Sequence, residues 1–135
     1  MVKLIIGLKG SGKTKTLINM ANEAGEKSSG SVICIEKGTK LIHEIKYLVR
    51  LIDSDEFSIS NAEELYGFLC GVFASNNDIT DLFVDSALKI CACELDVFAK
   101  FVNKVAAFAE KTNINVVITS SIAPADLPEE LNKYL

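Results

Sequence analysis

The chain alternates between short apolar runs and longer segments in which apolar side chains recur every three or four positions. The short runs are typical of strands buried on both faces. They cover residues 2–6, 31–36, 49–52, 81–85 and 114–118. Strands separated by helical segments predict an α/β fold with three layers, in which a mainly parallel sheet has helices on both faces. No Pro/Gly/Ser-rich linker interrupts the 135 residues, so we expect a single domain over 1–135.

Helical periodicity characterises the segments between these runs. One helix is expected after the first strand and ends near Gly25. A second is expected to begin at Ser60, because Ser60-Asn61-Ala62-Glu63 fits the capping-box pattern. A long third helix precedes the last strand, and shorter helices are expected around residues 41–45 and over 128–134. The apolar faces of the three main helices are Leu17, Ile18, Ala21 and Ala24; Leu65, Leu69, Val72 and Phe73; and Leu95, Phe98, Val102, Val105, Ala106 and Ala109.

The turn after the first strand carries the strongest chemical signal. Residues 7–14, Gly-Leu-Lys-Gly-Ser-Gly-Lys-Thr, match G-x-x-x-x-G-K-[ST] at every fixed position. Glycines permit backbone angles that point successive N–H groups inward as an anion-binding nest, and the following helix adds its positive end. We therefore expect nucleotide contacts from a continuous run of residues: Gly7, Leu8, Lys9, Gly10, Ser11, Gly12, Lys13, Thr14 and Lys15.

Three residues in and beyond this phosphate loop are expected to have specific roles. Lys13 is expected to reach the β- and γ-phosphates, and the Thr14 hydroxyl to bind Mg²⁺. Asp85, which directly follows the apolar run 82–84, is expected to hold the same ion, usually through water. ATP and Mg²⁺ are the expected ligands.

These motifs, in this order, resemble the P-loop NTPases and, within them, the RecA-like group. The chain is also similar to small bacterial P-loop proteins that carry the label of twitching-motility ATPases. The RecA-like resemblance implies that Glu36, at the end of the second strand, is a catalytic residue that orients or activates the attacking water. It also implies that Ser120 or Thr119, on the last strand, senses the γ-phosphate. No Asn-Lys-x-Asp motif occurs, so guanine specificity is disfavoured.

Charge composition narrows the expected activity. A formal net charge of −4 argues against strong binding to nucleic acid. Arg50 is the single arginine, and its place on an expected strand makes it a poor arginine finger. A small-molecule kinase, with its arginine-rich lid, and a pilus-retraction motor, with arginine-rich and histidine-containing motifs, are both disfavoured. The lone His43 is expected to be a surface or packing residue.

The sequence thus predicts an ATP–Mg²⁺ binding protein that hydrolyses ATP slowly or only with a partner. The alternative is a nucleotide-sensing interaction module, in which bound ATP shifts a surface loop without turnover. A small-molecule kinase, although disfavoured, is a third hypothesis. Three acidic residues, Asp53, Asp55 and Glu56, are expected either in a solvated loop or near the nucleotide.

Partners and location are predicted from apolar segments. No run approaches the roughly 20 residues of a membrane span, and the apolar start of the chain is too short for a signal peptide. A cytoplasmic protein with buried cysteine thiols is therefore expected. Val97, Phe101 and Phe108 widen the apolar face of the long helix. Either a neighbouring helix covers them, or they form an interface with a second copy or another protein.

Overall fold

A computed structural model describes all of residues 1–135 and shows one α/β arrangement. The five strands are β1 (Val2–Gly7), β2 (Ser31–Glu36), β3 (Val49–Asp53), β4 (Ile79–Val84) and β5 (Asn115–Ser121). The four α-helices are α1 (Lys13–Lys27), α2 (Ala62–Ser75), α3 (Ala87–Cys91) and α4 (Leu95–Thr112). Short 3₁₀ turns cover Ser54–Phe57, Pro124–Asp126 and Glu129–Tyr134.

All five strands pair in parallel, in the order β1-β5-β4-β2-β3. The first strand pairs with the last, in a register that places Val2 opposite Val116 and Gly7 opposite Ser121. Because the strands are parallel, their carboxyl ends lie along one edge of the sheet. The phosphate loop, Glu36, Asp85 and Ser121 all follow or end strands at that edge.

The two faces of the sheet carry cores of different size, because successive side chains of a strand point to opposite faces. Ile33, Leu82 and Ile118 belong to a core of 26 buried residues that includes side chains from α2, α3 and α4. Val32 and Phe83 belong to a core of 10 buried residues, to which α1 is the only helix that contributes. We call these the thick face and the thin face. The loop between β2 and β3, residues 37–48, completes the thin face by burying Leu41 and Ile45.

The structure confirms the five predicted strands and the three main helices, with small differences at their ends. Residues 41–45 form turns rather than the expected helix. Part of the reason is that Asn22 of α1 binds this loop's backbone: it donates to the Glu44 carbonyl at 2.9 Å and accepts from the Lys46 N–H at 2.8 Å. The expected terminal helix is 3₁₀ over Glu129–Tyr134, and α3 was not predicted.

The cap of α2 lies one residue later than predicted. Asn61, not Ser60, is the N-cap, and its side chain accepts from the Glu64 N–H at 2.9 Å. The Glu64 carboxylate reaches back to the Ser60 N–H at 2.8 Å. The arrangement is close to a capping box formed by Asn61 and Glu64 in place of Ser60 and Glu63, but Glu64 accepts from the N–H of Ser60 and not from that of the N-cap Asn61.

Neighbouring side chains cover most of the wide apolar face of α4. Phe101 is buried and stacks on Phe98 at 6.1 Å between ring centroids, and Phe108 meets Phe73 edge-on at 5.5 Å. Only Val97 of the three predicted interface residues is exposed, at 41%. Of the two alternatives, cover by neighbouring side chains therefore holds for Phe101, which is buried, and in part for Phe108, which is half-buried against Phe73 of α2.

Two smaller expectations concern the thiols and the membrane. Cys34 and Cys91 are buried, whereas Cys70 and Cys93 are only half-buried, and all four thiols are free. Burial, mainly, raises the pKa of Cys91 to about 12.

None of the helices has the length and apolar character needed to cross a membrane.

Candidate functional site

The carboxyl edge of the sheet borders a cavity of about 620 Å³, which we call the phosphate cavity. Six lining residues come from the phosphate loop and the start of α1: Lys9, Gly10, Gly12, Lys13, Thr14 and Lys15. Four more come from or directly follow the other strands, namely Glu36, Asp85, Ser86 and Ser121, and Lys89 comes from α3. The loop 37–48 supplies the rest: Lys37, Lys40, Leu41 and Glu44.

The phosphate loop has the backbone form that its glycines predict. Gly12, the N-cap of α1, has φ +88°, a left-handed conformation that side chains rarely adopt. At Gly7 a Cβ atom would overlap the Ser11 hydroxyl. Glycine at these two positions thus lets the loop curl tightly between β1 and α1. The positive end of α1 faces the cavity.

Lys13 lies folded over the phosphate loop. Its Nζ donates to the Leu8 carbonyl at 2.9 Å and to the Ser11 hydroxyl at 3.4 Å. It forms no ion pair, since the three salt bridges of the protein involve Lys27, Lys37 and Lys46. The ammonium is therefore available to an anion held by the loop.

Thr14 and Asp85 meet across the cavity, although 71 positions separate them in sequence. The Thr14 hydroxyl lies 3.2 Å from Asp85 Oδ1 and 3.4 Å from Oδ2. Thr119 donates to Asp85 Oδ1 at 2.7 Å, and Ser86 donates to Oδ2 at 3.4 Å. The carboxylate is buried at 8% exposure and pairs with no cationic side chain. Hard oxygen donors beside an uncompensated carboxylate are the set that Mg²⁺ prefers, so these residues fit that ion.

Glu36 is buried at 2% exposure on the β2 side of the same cavity. Its Oε1 accepts from the Lys40 N–H at 3.1 Å and its Oε2 from the Leu41 N–H at 3.0 Å. Burial raises the pKa of this carboxyl above its ordinary value. The two amides oppose that shift, and the negative charges of Asp85 and Asp53 add to it.

Neither of the two β5 residues that were expected to sense the γ-phosphate, Thr119 and Ser120, lines the cavity. Ser120 is fully buried, donates to the Thr119 carbonyl at 2.7 Å and accepts from the Leu88 N–H at 3.3 Å. It does not line the cavity, whereas Ser121 does. Thr119 reaches the site through Asp85 and also accepts from the Ser86 N–H at 2.8 Å. The hydroxyls of Thr119 and Ser120 thus hold the start of α3 in place.

The cavity contains six lysines and three acids, in a protein whose net charge is −4. Sequence reasoning missed Lys37, Lys40 and Lys89, because the first two lie in an irregular loop and the third in the unpredicted α3. Only Lys37 among the six is in an ion pair, with Asp55 at 2.7 Å. Lys89 lies four residues after Asp85, and that short spacing is the one signal that could have identified it.

The other sequence candidates lie outside the cavity lining. Arg50 is exposed on the edge strand β3, and His43 is exposed in the loop 37–48. Asp53 accepts from the Gly38 N–H at 2.8 Å, and Glu56 is exposed. Asp53 and Asp55 support the loop beside the cavity, Asp55 through its ion pair with Lys37.

Comparison with protein-family models gave no match, and no curated protein matched the chain. The case for a function therefore depends on the residues of the phosphate cavity.

Proposed function

We propose that the protein binds ATP with Mg²⁺ in the phosphate cavity and hydrolyses it slowly, or only with a partner. The observation that carries this proposal is the approach of the Thr14 hydroxyl to Asp85 at 3.2 Å. A phosphate loop and a distant acid, each recognisable by its own sequence context, converge in one lysine-rich cavity. A glycine-rich turn that merely joined a strand to a helix would require neither the acid nor the lysines.

Each part of the site has a role in this proposal. The backbone of residues 7–15 and the Lys13 ammonium would hold the phosphates, and Thr14 and Asp85 would hold the metal. Mg²⁺ supplies neutralisation of phosphate charge when bound. Glu36 would orient the attacking water, because its buried carboxylate lines the cavity and its raised pKa favours proton acceptance over that of an ordinary glutamate.

We further propose that the fold is a RecA-like P-loop core. Support comes from the order of the functional residues along the sheet edge: the phosphate loop after β1, Glu36 ending β2, and Asp85 after β4. Strand β5 lies between β1 and β4, so its polar end, Thr119 and Ser121, is placed between loop and acid. Thr119 through Asp85, or Ser121 directly, is a better candidate for sensing the terminal phosphate than Ser120.

Slow turnover follows from the kind of cations present. Six lysines line the cavity, but the single arginine does not. A planar guanidinium can bridge two phosphate oxygens, whereas an ammonium acts as a point charge. Lys89 is the residue of α3 best placed to supply a charge beside Asp85, and a partner's arginine would accelerate the reaction further. An ATP-dependent role and free thiols both agree with a cytoplasmic location.

The alternative, a nucleotide-sensing module without turnover, is favoured by one observation. The loop 37–48 has four residues on the cavity and also exposes Ile42, Tyr47 and Leu48, at 58%, 92% and 49%. Bound nucleotide and a protein partner could therefore contact the same short loop. Phosphate release at saturating ATP distinguishes the two, because only the first function produces it.

The central experiment is a calorimetric titration with ATP, ADP and GTP, with and without Mg²⁺. We expect ATP to bind in the presence of Mg²⁺, and Lys13→Ala to weaken binding at least tenfold. Lys100→Ala, which removes an exposed lysine outside the cavity, should bind like the wild type. Asp85→Asn should abolish most of the Mg²⁺ dependence. Absence of ATP binding by the wild-type protein would overturn the proposal.

A further inference from the structure

The loop 37–48 lines the phosphate cavity together with the phosphate loop. It is attached to the rest of the molecule at several points. Leu41 and Ile45 are buried in the thin face, Asn22 binds the backbone at residues 44 and 46, and Lys46 pairs with Glu26 at 2.7 Å. A loop held in this way has a defined conformation, so the side chains that it directs to the cavity have defined positions.

Glu36 holds the backbone of this loop at Lys40 and Leu41. Each carboxylate oxygen accepts one backbone N–H, from Lys40 and from Leu41, at 3.1 and 3.0 Å. Charge-assisted bonds to a buried carboxylate are stronger than neutral ones. The backbone of Lys40 is thereby held against the end of β2.

Lys40 differs from the two neighbouring lysines of the loop. Lys37 and Lys46 are neutralised by Asp55 and Glu26, each at 2.7 Å. Lys40 has no acidic partner, although it lines the cavity together with the phosphate loop. Its charge is thus the one cation of this loop that is left for a ligand.

We infer that Lys40 is a phosphate-binding cation in addition to Lys13, which lines the same cavity, and that Glu36 is the positioning residue that sets Lys40 in place. This inference rests on the proposed function and adds to it a specificity residue in the loop 37–48. Glu36 then has two separable tasks. Orienting water affects only the rate of hydrolysis, whereas positioning Lys40 affects the equilibrium affinity for a nucleotide that is not hydrolysed.

The sign of the effect makes the inference testable. Glu36→Gln removes a negative charge from the cavity, so simple electrostatics predicts tighter binding of an anionic nucleotide. The positioning role predicts the opposite, because glutamine can accept only one of the two amides and its NH₂ group repels the other. Weaker binding by Glu36→Gln is therefore a result that loss of charge does not produce.

The experiment is a double-mutant cycle on the affinity for AMP-PNP with Mg²⁺. We expect Lys40→Ala to weaken binding about tenfold, in line with the loss of one charge-assisted contact to phosphate. Glu36→Gln should weaken it by several-fold, and the double variant should bind no more weakly than Lys40→Ala alone. The matched controls, Lys100→Ala and Glu110→Gln, alter exposed residues outside the cavity and should leave the affinity unchanged.

Amide hydrogen exchange shows whether Glu36→Gln remains folded. We expect faster exchange at the Lys40 and Leu41 amides, with the protection of β2 and β4 retained. Unchanged or tighter affinity for AMP-PNP in Glu36→Gln, or fully additive losses in the double variant, would overturn the positioning role. If the wild type fails to bind AMP-PNP, the proposed function itself fails.

Discussion

The two faces of the sheet divide stability and chemistry between them. The thick face buries 26 residues, with side chains from three helices, and no residue of the phosphate cavity belongs to its core. The thin face buries 10, beneath one helix and the loop 37–48. That helix begins with Lys13 and Thr14, and the loop contributes Leu41 to both core and cavity. The site is therefore built where the packing is least extensive.

The difference between the two faces indicates which substitutions should change stability without changing ligand affinity. A parallel sheet needs both faces covered, since each face is apolar. Elements that cover the thin face also form the walls of the cavity, so their packing and the ligand are thermodynamically linked. Of the elements on the thick face, α2 and α4 contribute no residue to the cavity lining, and the short α3 contributes only Lys89. The following predictions test that contrast, from the largest expected effect to the smallest.

Truncation of Phe98, fully buried on the thick face, should have the largest effect. We expect Phe98→Ala to lower the free energy of unfolding by about 3–5 kcal/mol, from lost burial and an unfilled cavity. The folded fraction should bind nucleotide with wild-type affinity. Urea denaturation and calorimetry measure the two quantities. Phe57→Ala, at a half-exposed phenylalanine, is the control and should cost under about 1 kcal/mol. A parallel loss of affinity in Phe98→Ala would contradict the separation of the faces.

Truncation of Leu17, fully buried on the thin face, should affect stability and binding together. We expect Leu17→Ala to cost about 2–3 kcal/mol, at the low end for such changes because a less extensively covered face can relax. Nucleotide affinity should fall several-fold, because α1 carries Lys13 and Thr14. Nucleotide at 100 times its Kd should restore about 2.7 kcal/mol. Unaltered affinity would show that α1 packing and the site are independent.

Removal of the Asn22 side chain tests the loop alone. Asn22→Ala loses the bonds to the Glu44 carbonyl and the Lys46 N–H, and we expect it to cost about 1 kcal/mol. Hydrogen exchange should accelerate within residues 40–46 and not in the thick face. Asn77→Ala, at an exposed asparagine of a turn, should change neither quantity. Acceleration spread evenly over the whole sheet would argue against a locally attached loop.

The smallest effect is a change in pH dependence. The pKa of Glu36 is raised above the ordinary 4.5, so above pH 4.5 and up to the raised pKa the folded state binds more protons than the unfolded state. The stability from this protonation is present below pH 4.5 and is lost as pH rises through the folded pKa. Glu36→Gln should therefore have a flatter curve of unfolding free energy against pH. Glu110→Gln should follow the wild-type curve, and an identical slope in Glu36→Gln would contradict the raised pKa.

Regular periodicity predicted most of the fold. The apolar runs of β1, β2 and β4 and the wide apolar face of α4 are signals spread over many residues, and the structure contains all of them. Helix α3 has only five residues, Ala87–Cys91, and is too short for a repeat to appear. At 41–45, the apolar spacing arises because Leu41 and Ile45 are both buried in the thin face. The segment is not helical, since Asn22 of α1 provides hydrogen bonds to its backbone from outside.

The candidate site was predictable where a motif is contiguous and less so where it depends on tertiary contact. The phosphate loop and Asp85 follow from the sequence itself, whereas Glu36 follows from the resemblance. All three line one cavity, although Gly7, Leu8 and Ser11 of the predicted nucleotide contacts do not. Which of Thr119, Ser120 and Ser121 lines the cavity depends on the direction in which each side chain of β5 points. Three consecutive hydroxyl residues do not reveal that direction. Lys40 and Lys89 were missed because a lysine in a loop or a single turn of helix has no periodic signal.

The pairing of β1 with β5 has a consequence for how the molecule folds. These neighbouring strands pair residues that lie far apart in the sequence, such as Val2 and Val116. Pairing of the two strands therefore closes one of the longest loops in the chain. Contacts of large sequence separation form slowly, because the entropy of loop closure must be lost first. The phosphate loop follows β1 and Asp85 follows β4, and β5 is the only strand between them. Docking of β5 therefore assembles the cavity, and nucleotide binding during refolding would report that late event.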